Sequence, residues 1–291
     1  MGEYLTLPVP QTLYGTYAVP LPEPLADPGA LARDEVTRHT GPPLRDLVLG
    51  MLGSPMLTLD QRPSSGFPPL PRDLLAAYGA AASELETISS AAFLIAVRAA
   101  YRPGRPPAHE WASRTVAGLL GTVAGSPVID VFTPRVLPPS HLLCSLPGPD
   151  GGVRLTDWML LPHTAGPRGF FFATRGLARF GLPELQTENV PADLVEPWGR
   201  LLNGLARRLL DLWLDRLPAG EQPLVVDIPD VISVGLRDVA AAQGTDDPLR
   251  REVSVRLRLD PGPALTVLPA EDGSDLESLC AALFDTRPPC R

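Results

Sequence analysis

The side chains best suited to acid–base chemistry near neutral pH are the four histidines, His39, His109, His141 and His163, and they are widely spaced. His109-Glu110 opens the run H-E-W-A-S, the first half of a zinc-protease helix. That motif places a second histidine four residues after the first, and position 113 is Ser113. The ligand pair is missing, so the dipeptide reads as a first helical turn in which Glu110 suits the positive helix end. No G-x-S-x-G elbow occurs. Ser140 and His141 are adjacent, which says little, because triads assemble in space rather than in sequence. Cys144 follows in P-P-S-H-L-L-C-S-L-P, which reads as an apolar strand holding a buried, inert thiol. Asp227, Asp230, Asp238 and the pair Asp246-Asp247 lack the glycine and terminal glutamate of a calcium loop. Asp227 and Asp230 flank Pro229 and shape a turn. Gly148, Gly151 and Gly152 precede a strand, so they do not form a phosphate loop between strand and helix.

All 25 basic residues are arginine. Lysine alone offers a pKa that burial lowers and an amine that forms Schiff bases. Its absence excludes an internal aldimine, a lysine aldolase, a Walker A loop and a kinase strand lysine. No cofactor is implied. Arginine without lysine, with 36 prolines, points to a GC-rich bacterial genome. The net charge of −8 argues against a nucleic-acid footprint. Arg207-Arg208, Arg250-Arg251, Arg256 and Arg258 lie beside acids and read as solvated faces. Cys144, Cys280 and Cys290 are too far apart and too few for a disulfide framework or a structural zinc site. No readable signal peptide and no apolar run long enough to span a membrane are present, which predicts a cytoplasmic protein.

The elements that must position these residues alternate between strand and helix. Residues 12–19 predict a strand ended by proline, and 28–38 a helix with Asp27 as N-cap and Pro28 in its first turn. Residues 44–52 and 56–59 are apolar but ambiguous. Residues 62–71 predict a loop, followed by a helix from about Asp73 to 83. A buried strand at 91–99, a helix over 107–123 stopped by Gly125, and a strand in P-V-I-D-V-F form a strand–helix–strand unit. Beyond the proline-rich stretch 134–149, strands are predicted at 153–161, 168–174 and 184–189, the first two joined at Ala165-Gly166-Pro167. The longest helix candidate is 192–216, with Leu194, Trp198, Leu201, Leu202, Leu205, Leu209, Leu212 and Trp213 on one wide face. Strands at 223–228, 231–237, 251–259 and 264–268 and a helix from Ser274 complete the chain. Short turns between strands require antiparallel pairing. The fold class is therefore α+β, mostly antiparallel, with helices packed on one face. The region 1–133 and a domain at 150–291 are the natural divisions, with one continuous domain the alternative.

One stretch stands out. Residues 169–185 read G-F-F-F-A-T-R-G-L-A-R-F-G-L-P-E-L. The three phenylalanines on a strand alternate between its faces, which predicts an interior strand covered on both sides. Gly176 and Gly181 suit positive φ, and Arg175 and Glu184 bracket the turn for pairing across it. Residues 174–185 also resemble the signature of an uncharacterised bacterial family, a domain of unknown function. That family shows Thr-x-Gly-x-x-x-Phe-Gly-x-Pro-Glu-[Leu/Ile], a short strand and a long amphipathic helix. The resemblance implies an α+β cytoplasmic protein and carries no catalytic residue. A looser similarity to suppressor-of-fused-like proteins implies a protein partner.

The expected function is a non-enzymatic interaction or regulatory protein, immunity-like or scaffold-like. It binds another protein or itself, with no nucleic acid and no membrane. Arg175, Arg179 and Glu184 are the candidate binding residues, as exposed polar groups of the turn. The alternative is an enzyme whose site gathers dispersed residues such as His163, Arg175 and Glu184.

Overall fold

The structure, a computed structural model, describes residues 3–146, 153–218, 220–262, 264–271 and 274–285. It is an α+β fold with predominantly antiparallel sheets. The chain divides into two compact units, one of residues 11–151 and one of residues 1–10 with 152–291. The first strand, β1 (Tyr4–Pro8), thus belongs to the C-terminal unit.

The N-terminal unit begins with β2 (Leu13–Leu21), which runs through Pro20 rather than stopping there. Next come α1 (Pro28–His39), α2 (Leu44–Leu52), β3 (Leu57–Pro63), α3 (Arg72–Ala77), α4 (Ala82–Ser90) and β4 (Phe93–Tyr101). The unit closes with α5 (Ala108–Ala124), β5 (Val128–Asp130), β6 (Arg135–Leu137) and α6 (Pro139–Cys144). The strands form one antiparallel sheet in the order β3-β4-β2-β5-β6. Alternate residues Tyr17, Val19, Ile95, Val97 and Ala99 meet α1, α2 and α5 in the main core. On the opposite face Ala18 and Ile129 pack with Leu75 of α3 and Leu85 of α4.

Capping follows the sequence closely. The Asp27 carboxylate accepts the Ala30 N–H at 2.9 Å, and Pro28 opens α1. Gly125 ends α5 in the left-handed region at φ 60°. Elsewhere the structure corrects the sequence. The ambiguous 44–52 run is helix α2. The helix expected from Asp73 to 83 is two short helices, α3 and α4, separated at Gly79 with φ 95°. The segment around Cys144 is a helix, α6, begun by Pro139 in its first turn, and not an apolar strand.

The C-terminal unit contains β7 (His163–Gly166), β8 (Gly169–Ala173), β9 (Glu184–Val190), α7 (Val195–Asp215) and β10 (Val225–Pro229). Then follow β11 (Val231–Gly235), α8 (Leu236–Ala242), β12 (Glu252–Leu259), β13 (Ala264–Pro269) and α9 (Leu276–Phe284). Six strands form a sheet in the order β11-β12-β13-β9-β8-β7, and β1 pairs with β10 in a separate ribbon. Among the described residues only β13 and β9 run parallel, from Ala264↔Glu184 to Thr266↔Gln186. The strand expected at 153–161 is instead a 3-10 turn at Leu155–Asp157, with Leu160 bridging to Arg175.

α7 seals the sheet. Its buried Trp198, Leu201, Leu202, Leu205, Leu209 and Trp213 lie on one stripe, and it packs on β9, β11, α8 and α9. Each such side chain contributes about 1.5–3 kcal/mol by burial. On β12, Val253, Val255 and Leu257 are buried while Arg256 and Arg258 are exposed. The other face of that strand is therefore wet, as its alternation predicts. The phenylalanine triplet obeys the same rule. β8 is an inner strand, with Phe172 buried, yet Phe171 keeps 38% of its surface exposed. The expectation that both its faces are covered fails, because the helices cover only the Phe172 side.

Cys280 is fully buried on α9, and burial pushes its thiol up to about 11, whereas Cys144 is exposed. Cys290 lies outside the described residues. Because the thiolate is the reactive form, alkylation of the native protein with iodoacetamide should modify Cys144 and spare Cys280 until denaturant is added. Peptide mapping of the modified protein checks this.

Candidate functional site

The turn at 174–185 was the strongest sequence candidate, and its geometry assigns each motif residue a place. After β8 the chain reaches Gly176 at φ 126°, makes a 3-10 turn over Leu177–Phe180 and leaves through Gly181 at φ 88°. A side chain at either glycine would strain the backbone. Glu184, at the start of β9, folds its carboxylate back into this turn. Oε1 accepts the N–H groups of Gly176 at 2.8 Å and Ala178 at 3.1 Å. Oε2 accepts the Leu177 N–H at 3.2 Å and the Thr174 hydroxyl at 2.7 Å. Thr174 in turn accepts the Leu185 N–H at 2.7 Å, and its own N–H donates to the Leu185 carbonyl at 2.8 Å. Three successive N–H groups around one carboxylate make an internal anion nest, and charge-assisted bonds of this kind are the strong ones.

The rest of the turn is anchored inward. Phe180 is buried, and its carbonyl accepts the Trp213 indole N–H of α7 at 2.9 Å. Arg179, expected at the surface, is fully buried, with its guanidinium carbon 5.9 Å from the centre of the buried Trp158 ring. Glu184, also expected at the surface, is half-buried and is satisfied by the nest rather than by Arg175. Arg175 alone is exposed, while its N–H and carbonyl pair with Leu160 at 2.8 Å each. His163 sits on the outermost strand β7, its ring stacked 5.1 Å from Phe172 and edge-on 5.5 Å from Phe170. The Glu184 carboxylate is already committed to its four donors, so the alternative constellation of His163, Arg175 and Glu184 has no available acid.

The N-terminal unit holds a second set of ionisable groups. His109, Glu110 and Arg114 in α5 are fully buried, as is Tyr17 of β2, whose hydroxyl donates to Glu110 Oε2 at 2.9 Å. Ser113, standing where a zinc-protease helix has its second histidine, donates to the His109 carbonyl at 2.7 Å. Asp130 accepts from the Phe132 and Thr133 N–H groups and the Thr133 hydroxyl, which shapes the turn between β5 and β6. Buried polar contacts of this kind specify the seat of a helix. No group of three or more His, Cys, Asp or Glu side chains among the described residues has metal-binding geometry.

A surface cleft of the C-terminal unit was not singled out by the sequence. Arg208 of α7, Arg237 and Asp238 of α8, and Arg250, Arg251 and Glu252 at the entry to β12 line a space of about 290 Å³. Asp238 Oδ2 accepts the Gly235 N–H at 2.8 Å and so caps α8. Burial raises the Asp238 pKa above the ordinary carboxylate value, and Gly235 and Arg208 offset only part of that. Arg251 pairs with Asp285 at 3.0 Å. Among the described residues, Arg237 and Arg250 have no side-chain hydrogen bond or ion pair to a protein acceptor. These arginines are dispersed in sequence and each lies near an acid, which is why they read as isolated solvated charges. The run G-L-R-D-V-A-A-A-Q-G held the missed signal: a cap, good helix formers and a closing glycine around α8.

No family model matches the chain, and comparison with curated proteins and with solved structures finds no match.

If the Glu184 carboxylate holds the turn, Glu184→Ala should lower unfolding stability by about 2–4 kcal/mol, because it strands several partly buried donors. Arg175→Ala should stay within about 0.5 kcal/mol of the parent. Urea denaturation of the two variants measures both. Equal stability of the Glu184 variant and the parent would contradict the nest.

Proposed function

We propose that this chain is a non-enzymatic interaction or regulatory protein, immunity-like or scaffold-like, from a GC-rich bacterium. It acts by presenting a shaped surface of its C-terminal unit to another protein. The observation that carries this reading is the closure of the 174–185 turn. The one conspicuous motif of the chain spends its carboxylate on four internal donors. The polar groups of α5 are likewise interior. Among the exposed groups of the C-terminal unit are Arg208, Arg237 and Arg250, and arginine is the cation favoured at interface hot spots. Of the turn residues, Arg175 remains available for contact. The resemblance to the uncharacterised bacterial signature fits this reading, since Thr174, Gly176, Phe180, Gly181 and Glu184 all serve the turn itself.

The test is capture from the native host followed by reconstitution. The chain has no lysine, so carboxylate-directed or photoreactive cross-linkers are required. The expected result is one protein that co-elutes with the purified chain in light-scattering chromatography and cross-links to the C-terminal unit. A chain that forms no complex with any purified candidate or with itself, yet turns over a substrate in a broad hydrolase panel, would refute the proposal in favour of the enzyme alternative.

A further inference from the structure

We infer that the arginine-lined cleft at Arg208, Arg237, Arg250 and Arg251 is a recognition site for an acidic peptide segment of the partner, in which carboxylates lie beside an aliphatic side chain. The inference rests on the interaction reading above and names the chemistry of the contact. Four guanidinium groups meet the lining carboxylates of Asp238 and Glu252 and that of Asp285, which pairs with Arg251, so positive charge exceeds negative by one here in a chain whose net charge is −8. Such an inversion attracts an anion against the overall field of the molecule.

The cleft is built on a fixed frame. A Cβ at Gly204 of α7 would come within 2.8 Å of Val239 Cγ2, so α7 and α8 meet at glycine distance. The Leu236 N–H donates to the Arg251 carbonyl at 3.1 Å, which ties the 249–252 segment to the start of α8. The guanidinium groups therefore project from backbone segments that are held in place, and the ordering left for binding is that of the exposed Arg237 and Arg250 side chains.

Two observations favour a peptide carboxylate over a phosphate. Phosphate sites commonly use backbone N–H groups. Here the Gly235 N–H is taken by Asp238 and the Leu236 N–H by the Arg251 carbonyl. What remains are planar guanidinium forks, which pair with carboxylates and phosphates alike, so the discrimination rests on the occupied backbone donors. The second observation is Leu249, which lines the cleft with half of its surface exposed. It offers apolar contact to a neighbouring peptide side chain and none to an inorganic anion. Asp238 and Glu252 within the lining also oppose a continuous phosphate track.

The experiment uses the full chain and a short fluorescein-labelled peptide of Asp, Glu and Leu, read by fluorescence anisotropy at low salt. A peptide with Asn and Gln in place of the acids is the control, and inorganic phosphate and a single-stranded oligonucleotide are competitors. The expected result is saturable binding of the acidic peptide alone, weakened by salt. Arg237→Gln with Arg250→Gln should reduce affinity by about tenfold or more. Both positions are exposed, so circular dichroism and thermal unfolding should match the parent. Arg168→Gln, at the exposed turn between β7 and β8 and outside the cleft, should bind as the parent does. Absence of acidic-peptide binding, an unaffected double variant, or displacement by phosphate at concentrations comparable with the peptide would each overturn the inference. A purified partner that binds the double variant at full strength would overturn the cleft while leaving the interaction reading intact. Peptide binding by a chain that reconstitutes with no protein would support the cleft and overturn the interaction reading.

Discussion

The C-terminal unit is organised around a single carboxylate. Glu184 begins β9, the strand through which the two antiparallel halves of the six-stranded sheet are joined. Its side chain reaches back to three successive N–H groups and the Thr174 hydroxyl, so the turn and the strand end are one hydrogen-bonded object. Without that acceptor, the donors of a tight turn would be left partly dry, at a cost comparable to a sizeable part of a domain's net stability. The glycines at 176 and 181 then follow from the geometry: a chain that must aim consecutive N–H groups at one point needs positive φ on either side.

The same constraint explains what surrounds the turn. α7 presents Trp213 to the Phe180 carbonyl and covers the sheet with its apolar stripe. Arg179 becomes interior, with Trp158 beside its guanidinium. A signature of alternating glycine, phenylalanine and charge thus meets the requirements of the turn, with Glu184 held by its four donors. In the N-terminal unit α5 plays a comparable organising role. It is enclosed by β2, β4, α1, α2 and α6, and its polar side chains find partners inside, as Glu110 does with Tyr17.

An acidic chain that nevertheless concentrates guanidinium groups in one concavity has a local electrostatic preference opposite to its net charge. The lysine-free composition sharpens this, since every cation is a planar, permanently charged fork suited to paired acceptors.

The amino-acid sequence by itself determined the fold class, the amphipathic helices α5 and α7, the caps at Asp27 and Gly125, and the wet and dry faces of β12. Each of these is set by residues a few positions apart, through helix or strand periodicity and local capping. It also excluded lysine-dependent chemistry outright. Tertiary structure alone decided that Arg179 is buried, that Phe171 is open to solvent and that Glu184 answers backbone donors instead of Arg175. It also brought Arg208, Arg237 and Arg250 to one cleft from three segments, and turned 44–52 and the Cys144 segment into helices. The physical reason is range: burial and charge environment depend on partners distant in sequence, and short apolar runs take whichever conformation their neighbours can cover.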